Sequence, residues 1–308
     1  MAATRPPRLF ARPRAVGRLA ADWARRYPLA PRYRPPATHL TLHAADGTRL
    51  HAVRLPGPDR SAAPVAPPCS FVLVHGLANS SRTPGIYAFA HLLAASAPVV
   101  VLDLRGHGAS GGECSFCVAE PGDVAAAVAA ARDTAPDLPV VTIGTSLGGS
   151  SVLLSAGAFG GVAGVVGVSP AGWSGADDRP GSARAQLVAR SRLARVGLRL
   201  MTGTRLPVVC GVVPDAEPVV ARIAPAFTLV VHDREDHYLG PEHAEAIERW
   251  ARSSPLYEAA RAQSSPLGGA ARAQAPVERW EVTGRGHGTE LLDLALAERI
   301  IAHVRAHL

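Results

Sequence analysis

One pentapeptide constrains this chain more than any other feature. Gly144-Thr145-Ser146-Leu147-Gly148 follows directly on the β-branched run Val140-Val141-Thr142-Ile143. That order reads as strand, sharp turn and helix, the context a G-x-S-x-G motif needs before it carries meaning. The turn forces its serine into strained backbone angles, and small residues on either side let the strand and helix close on each other. Ser146 is thereby expected at the end of a strand, held up from a sheet. Taken alone, the motif also fits a serine that caps a helix N-terminus, and the chain holds 30 glycines, so the neighbouring strands must decide.

Upstream, Phe71-Val72-Leu73-Val74 is an apolar strand that ends in His75-Gly76-Leu77. Downstream, Phe227-Thr228-Leu229-Val230-Val231-His232 opens into the acidic turn Asp233-Arg234-Glu235-Asp236. Last, the alternating strand Val277-Glu278-Arg279-Trp280-Glu281-Val282 runs into Gly284-Arg285-Gly286-His287-Gly288. A serine, an acid and a histidine thus each lie just past the carboxyl end of a strand, where open α/β sheets place their sites. Asp233, Glu235 and Asp236 all share the acidic turn, so the residues alone leave the acid open.

Together these segments resemble the α/β-hydrolase family from about Thr38 to the C-terminus. The likeness extends to Asp103-Leu104-Arg105-Gly106-His107-Gly108-Ala109-Ser110, a stretch that marks the fold more than the chemistry. The resemblance implies an α/β fold with a mostly parallel sheet of about eight strands between helices and a short cap insertion. It implies Ser146 as nucleophile, His287 as base and Asp236 as the acid that orients His287, with Asp233 and Glu235 as solvated turn acids. One departure is Asp233, which stands where the family usually has glycine. By the same analogy the backbone N–H groups of Leu77 and Leu147 form the oxyanion hole, which frees both side chains to line an apolar acyl pocket.

The implied activity is a serine hydrolase, a carboxylesterase first, that cleaves an ester or thioester of a small-molecule acyl substrate without a cofactor. Aminopeptidase or acyltransferase activity on the same fold is the alternative, and a non-catalytic ligand-binding member is another. His75 and His107 read as loop-fixing residues. His232, His237 and His243 fall at spacings that match no zinc pattern, so no metal site is expected.

Charge is informative once it is located. Residues 1–36 carry nine Arg and one Asp, an excess of +8 against a total of +7, so the body is nearly neutral. This Arg/Pro-rich tail is expected to be a flexible extension of a single hydrolase domain at 37–308, since 47% hydrophobic residues over 308 suffice for one large core. Val16 to Tyr27 could form an amphipathic helix that gives weak peripheral contact with a membrane surface. The tail has no apolar stretch of signal-peptide or membrane-span length. All 32 basic residues are Arg, a bias of coding composition rather than phosphate recognition, and no nucleic-acid partner is expected. Cys69, Cys114, Cys117 and Cys210 are too scattered for a disulfide framework, which favours reduced thiols and a cytoplasmic location.

Periodicity and turns place antiparallel strands at 40–43 and 49–55, then strands near 71–75, 98–103, 139–143 and 162–168. Helices are expected near 84–95 and 121–134. A lid insertion spans about 172–222, with Ala183 to Met201 as a helix whose five arginines face solvent, and a low-complexity loop spans about 253–275.

Overall fold

Strands whose two faces are both apolar can persist only between two layers of helices, and that demand shapes this molecule. The computed structural model describes residues 30–59, 69–171, 179–181, 191–207, 215–225, 227–255 and 277–308. The strands are β1 (Thr38–His43), β2 (Arg49–Leu55), β3 (Ser70–Val74), β4 (Val99–Asp103), β5 (Val140–Thr145), β6 (Gly164–Val168), β7 (Phe227–Asp233) and β8 (Val277–Val282). The helices are α1 (Pro84–Ala94), α2 (Glu120–Thr134), α3 (Leu147–Phe159), α4 (Arg192–Thr202), α5 (Glu217–Val220), α6 (Pro241–Arg252) and α7 (Leu294–His307).

The strands form one sheet in the order β1-β2-β4-β3-β5-β6-β7-β8. β1 and β2 are antiparallel to each other, β2 is antiparallel to β4, and the six strands from β4 to β8 in that order run parallel. Side chains alternate across the pleat. Phe71 and Leu73 therefore meet Ile86, Phe89 and Leu93 of α1 and Ile300 of α7. Val72 and Val74 meet Val124 and Val128 of α2 and Val152 of α3 on the opposite face. At the far end of that face, Leu153 and Leu154 of α3 join Ile247 and Trp250 of α6. The expected strands and the helices at 84–95 and 121–134 are thus present, and the sheet is the eight-stranded, mostly parallel one of an α/β-hydrolase fold.

The turn after β4 is held by charge. The Arg105 guanidinium reaches the Asp123 carboxylate of α2 at 2.6 Å and Asp46 of the β1–β2 turn at 2.7 Å. Asp103 is buried and accepts the N–H of Ser81 at 2.6 Å and of Ala109 at 3.1 Å, with His51 Nδ1 at 2.8 Å. Gly108 lies at a φ of +49°, and a Cβ there would fall 2.3 Å from an Asp103 carboxylate oxygen, so the site admits only glycine.

Residues 30–36, assigned to the tail by composition, lie against the body, where Ala30 N–H donates to Arg82 O at 2.8 Å and the Tyr33 hydroxyl to Ser81 O at 2.9 Å. The segment Val16 to Tyr27, residues 182–190 of the expected lid helix, Cys210 and residues 256–275 lie outside the described residues. Within the segment expected to form a lid, α4 begins at Arg192, where the Ser191 hydroxyl accepts the Ala194 N–H. Cys69, Cys114 and Cys117 are buried, and burial pushes the Cys114 and Cys117 thiols above the ordinary range. Among the described residues no helix is long and apolar enough to cross a membrane.

Replacing Arg105 by Met leaves Asp123 buried without its cation, and a broken buried pair of this kind costs about 3–5 kcal/mol. Urea unfolding of Arg105→Met is expected to show that loss with an unchanged denaturant dependence.

Candidate active site

The site is assembled where β5 stops. Ser146 has φ 51° and ψ −118°, a left-handed backbone that a non-glycine residue adopts only under constraint. Four contacts supply that constraint. A Cβ on Gly144 would lie 2.2 Å from Gly148 O, and one on Gly148 would lie 2.4 Å from His75 O, so both flanking positions must be glycine. The Ser146 N–H donates to Val168 O of β6 at 2.8 Å. Gly76 also packs on the turn, since a Cβ there would come within 3.1 Å of Ser146 Cβ. The end of β3 is therefore pressed against the serine.

His287 Nε2 lies 2.8 Å from Ser146 Oγ, and His287 Nδ1 lies 2.6 Å from Asp236 Oδ2. The three residues chosen from the sequence form one continuous hydrogen-bonded line. A carboxylate can only accept, so the Nδ1 proton faces Asp236 and the Nε2 lone pair faces the serine hydroxyl. Burial pushes the Asp236 carboxyl up. The hydrogen bond and charge of His287, with the N–H groups of Leu239 and Tyr238, outweigh that effect and hold it below the usual range. Tyr238 packs beside the imidazole with ring centres 4.8 Å apart.

Leu77 follows Gly76, and Leu147 is the first residue of α3. Both are half-buried, and among the described residues neither backbone N–H donates to an acceptor. For Leu147 this follows from its place in the first helical turn, whose N–H groups have no intrahelical partner.

The acidic turn differs from expectation in one residue. Glu235 is exposed, as a solvated turn acid should be, but Asp233 is fully buried. Asp233 Oδ1 accepts the N–H of Glu235 at 2.8 Å and of Gly284 at 3.2 Å, and Oδ2 accepts that of Gly286 at 2.7 Å and of Arg285. It ties the end of β7 to the loop that carries His287. A glycine at this position would offer these four N–H groups no side-chain acceptor. Burial raises the Asp233 carboxyl, and the four backbone donors more than offset this, leaving it below the usual range.

Two further supports carry no motif. Ser169, at the end of β6, has a φ of 48° and accepts the Gly288 N–H at 3.1 Å. Glu290 accepts the His287 N–H at 2.8 Å. Ser169 acts on backbone brought near only by folding, whereas Glu290 caps locally, three residues after His287.

His75 and His107 behave as the loop-fixing groups expected of them. His75 donates from Nδ1 to Gly76 O at 2.8 Å and accepts the Leu104 N–H at Nε2, while His107 donates from Nδ1 to Arg105 O at 2.9 Å. Burial lowers both, His107 to about 3, so neither is charged at neutral pH. His232 is buried with Nε2 3.2 Å from Leu239 O.

A search of curated protein sequences gives no match. A family profile described as serine aminopeptidase, S33, matches residues 66–210. Solved structures that resemble the chain include an esterase of Pyrococcus furiosus, at 14% identity and TM-score 0.62 over 90% of this chain and 94% of that one. An esterase of Rhodococcus sp. matches at 20% identity and TM-score 0.62 over 88% and 99%. A serine hydrolase of Xanthomonas campestris described as having no lid matches at 17% identity and TM-score 0.52 over 89% and 95%.

Asp233→Asn replaces an all-acceptor group by one that also donates, against four N–H donors, and is expected to cost about 1–3 kcal/mol, read by thermal unfolding. Acid has a related effect. Asp233 and Asp236 titrate lower folded than unfolded, so their stabilisation is complete above the unfolded carboxylate pKa of about 4 and is lost as pH falls through the folded values. Urea midpoints measured from pH 7 down to 3 should hold steady and then drop, with a smaller drop in Asp233→Asn.

The sheet order, the strained serine turn and these structural likenesses agree, and the chain has the α/β-hydrolase fold.

Proposed function

We propose that the protein is a serine hydrolase that cleaves a carboxylic ester, or a related acyl bond such as a thioester, through an acyl-enzyme. The observation that carries this reading is the unbroken line from Ser146 Oγ through His287 to Asp236, with spacings of 2.8 and 2.6 Å. Ser146 Oγ attacks the acyl carbonyl while His287 Nε2 takes its proton, and Asp236 balances the charge that forms on the imidazole. Negative charge on the carbonyl oxygen falls between the Leu77 and Leu147 N–H groups, two donors that meet no other acceptor among the described residues. His287 then hands the proton to the leaving alcohol or thiol. Water enters, loses a proton to the same nitrogen, and adds to the acyl carbon; collapse returns the proton to Ser146 and releases the acid.

The choice of ester over peptide follows from where the carboxylates point. An aminopeptidase needs an acid free to bind the substrate's amino end. Among the described residues, Asp233 and Glu290 next to the triad are both occupied by backbone N–H groups. The half-buried Leu77 and Leu147 side chains suit an apolar acyl group, and two of the structural relatives are described as esterases. The family profile's description as serine aminopeptidase favours the peptide reading, so the substrate assay must contain both.

On p-nitrophenyl esters of graded acyl length, Ser146→Ala and His287→Ala should each lower kcat by about 10⁴–10⁶, and the double variant should lose little more, because groups that act as one unit are not additive. Asp236→Asn should lower kcat by about 10³–10⁴ with KM little changed. Equal or faster turnover of aminoacyl p-nitroanilides would move the assignment to the peptidase branch.

A further inference from the structure

A second group of ligating side chains lies away from the serine, between the edge strand and the last helix. Glu278 projects from β8, and His303 and His307 stand one turn apart on α7. One donor atom from each lies within 4.8 Å of the other two. Histidines at i and i+4 share a helix face, and a carboxylate opposite completes a His₂Glu set of the kind that binds zinc with water in the fourth position.

Three details go beyond proximity. His303 is 8% exposed, and among the described residues neither of its ring nitrogens makes a hydrogen bond: Nε2 is buried without a partner, and Nδ1 stands 3.9 Å from Glu278 Oε2. A buried polar group left unmet calls for a cause. His307 donates from Nδ1 to His303 O at 2.8 Å, which leaves the lone pair on its Nε2. The Trp280 indole N–H donates to Glu278 Oε2 at 3.2 Å. Ligands in metal sites are typically oriented by partners of this sort, a carbonyl behind the histidine and a donor behind the carboxylate.

We propose that Glu278, His303 and His307 bind a divalent transition-metal ion of the zinc class and that the ion staples α7 to β8. Donor atoms around tetrahedral zinc sit ~3.3 Å apart, so the group closes by ~1.5 Å at most, within reach of the Glu278 side chain. Glu278 pairs with Leu229 near the start of β8, whereas Val282 pairs with Asp233 at the end that leads to His287. Four residues of strand put the ion about 13 Å up the sheet from that end. Its role is therefore structural, and acyl transfer at Ser146 does not pass through it.

The test uses the full-length chain without an affinity tag, stripped by chelator and titrated with Zn²⁺ by calorimetry, then melted with and without Zn²⁺. A single saturable site with Kd of about 10 µM or tighter is expected, with a rise in Tm that grows with free Zn²⁺. Trp280 packs edge-on against His303 at 5.3 Å, so tryptophan emission should change over the same titration. His307→Ala should abolish both effects, and Glu278→Gln should weaken binding at least about tenfold, while hydrolysis or Ser146 labelling at 25 °C stays at the wild-type level. No saturable binding below about 100 µM, a range too weak to hold a structural ion, overturns the proposal. So does wild-type affinity in His307→Ala, which would place the ion on other histidines.

Discussion

Ser146 occupies a backbone conformation that costs about 1–3 kcal/mol wherever it is not enforced, and the surrounding architecture can be understood as what enforces it. Gly144 and Gly148 let β5 and α3 approach until no side chain fits between them. The Val168 carbonyl fixes the serine N–H, and the end of β3 closes the other side. A parallel sheet buried on both faces is rigid enough to bear that strain. With the serine fixed, the hydroxyl direction is fixed, and the loops after β7 and β8 need only bring an acid and a histidine to it.

Those two loops are held together by an interaction the sequence hides. Asp233 stands three residues before Asp236 in one acidic turn, and spacing distinguishes them poorly. The structure separates them by the groups they face. Asp236 meets an imidazole, whereas Asp233 meets four backbone N–H groups and becomes the clamp between β7 and the His287 loop. Backbone donors have no sequence signature, which is why a residue in the middle of a recognised motif read as a solvated acid. Ser169 is concealed for the same reason.

What was legible came from period and punctuation. Val72 and Phe71 alternate in a way that demands helices on both faces, and the β-branched run before Gly144 announces the turn. The strand order, with β4 seated between β2 and β3, departs from the chain order and is visible only in the structure. The pairing of Glu278 with α7 could not be read the same way. His303 and His307 show a helical spacing, but their carboxylate partner lies on a strand 25 residues earlier, and only packing makes them neighbours. The histidines that looked clustered in sequence, His232, His237 and His243, instead lie on β7, on the loop after it and on α6.

The central claim is that folding activates Ser146. It is tested most directly by exposing the purified chain to a fluorophosphonate and weighing the intact protein, beside Ser146→Ala. One adduct on the wild type and none on the variant is the predicted result. A folded wild type that takes up no label, or a Ser146→Ala chain that takes up as much, would contradict the account.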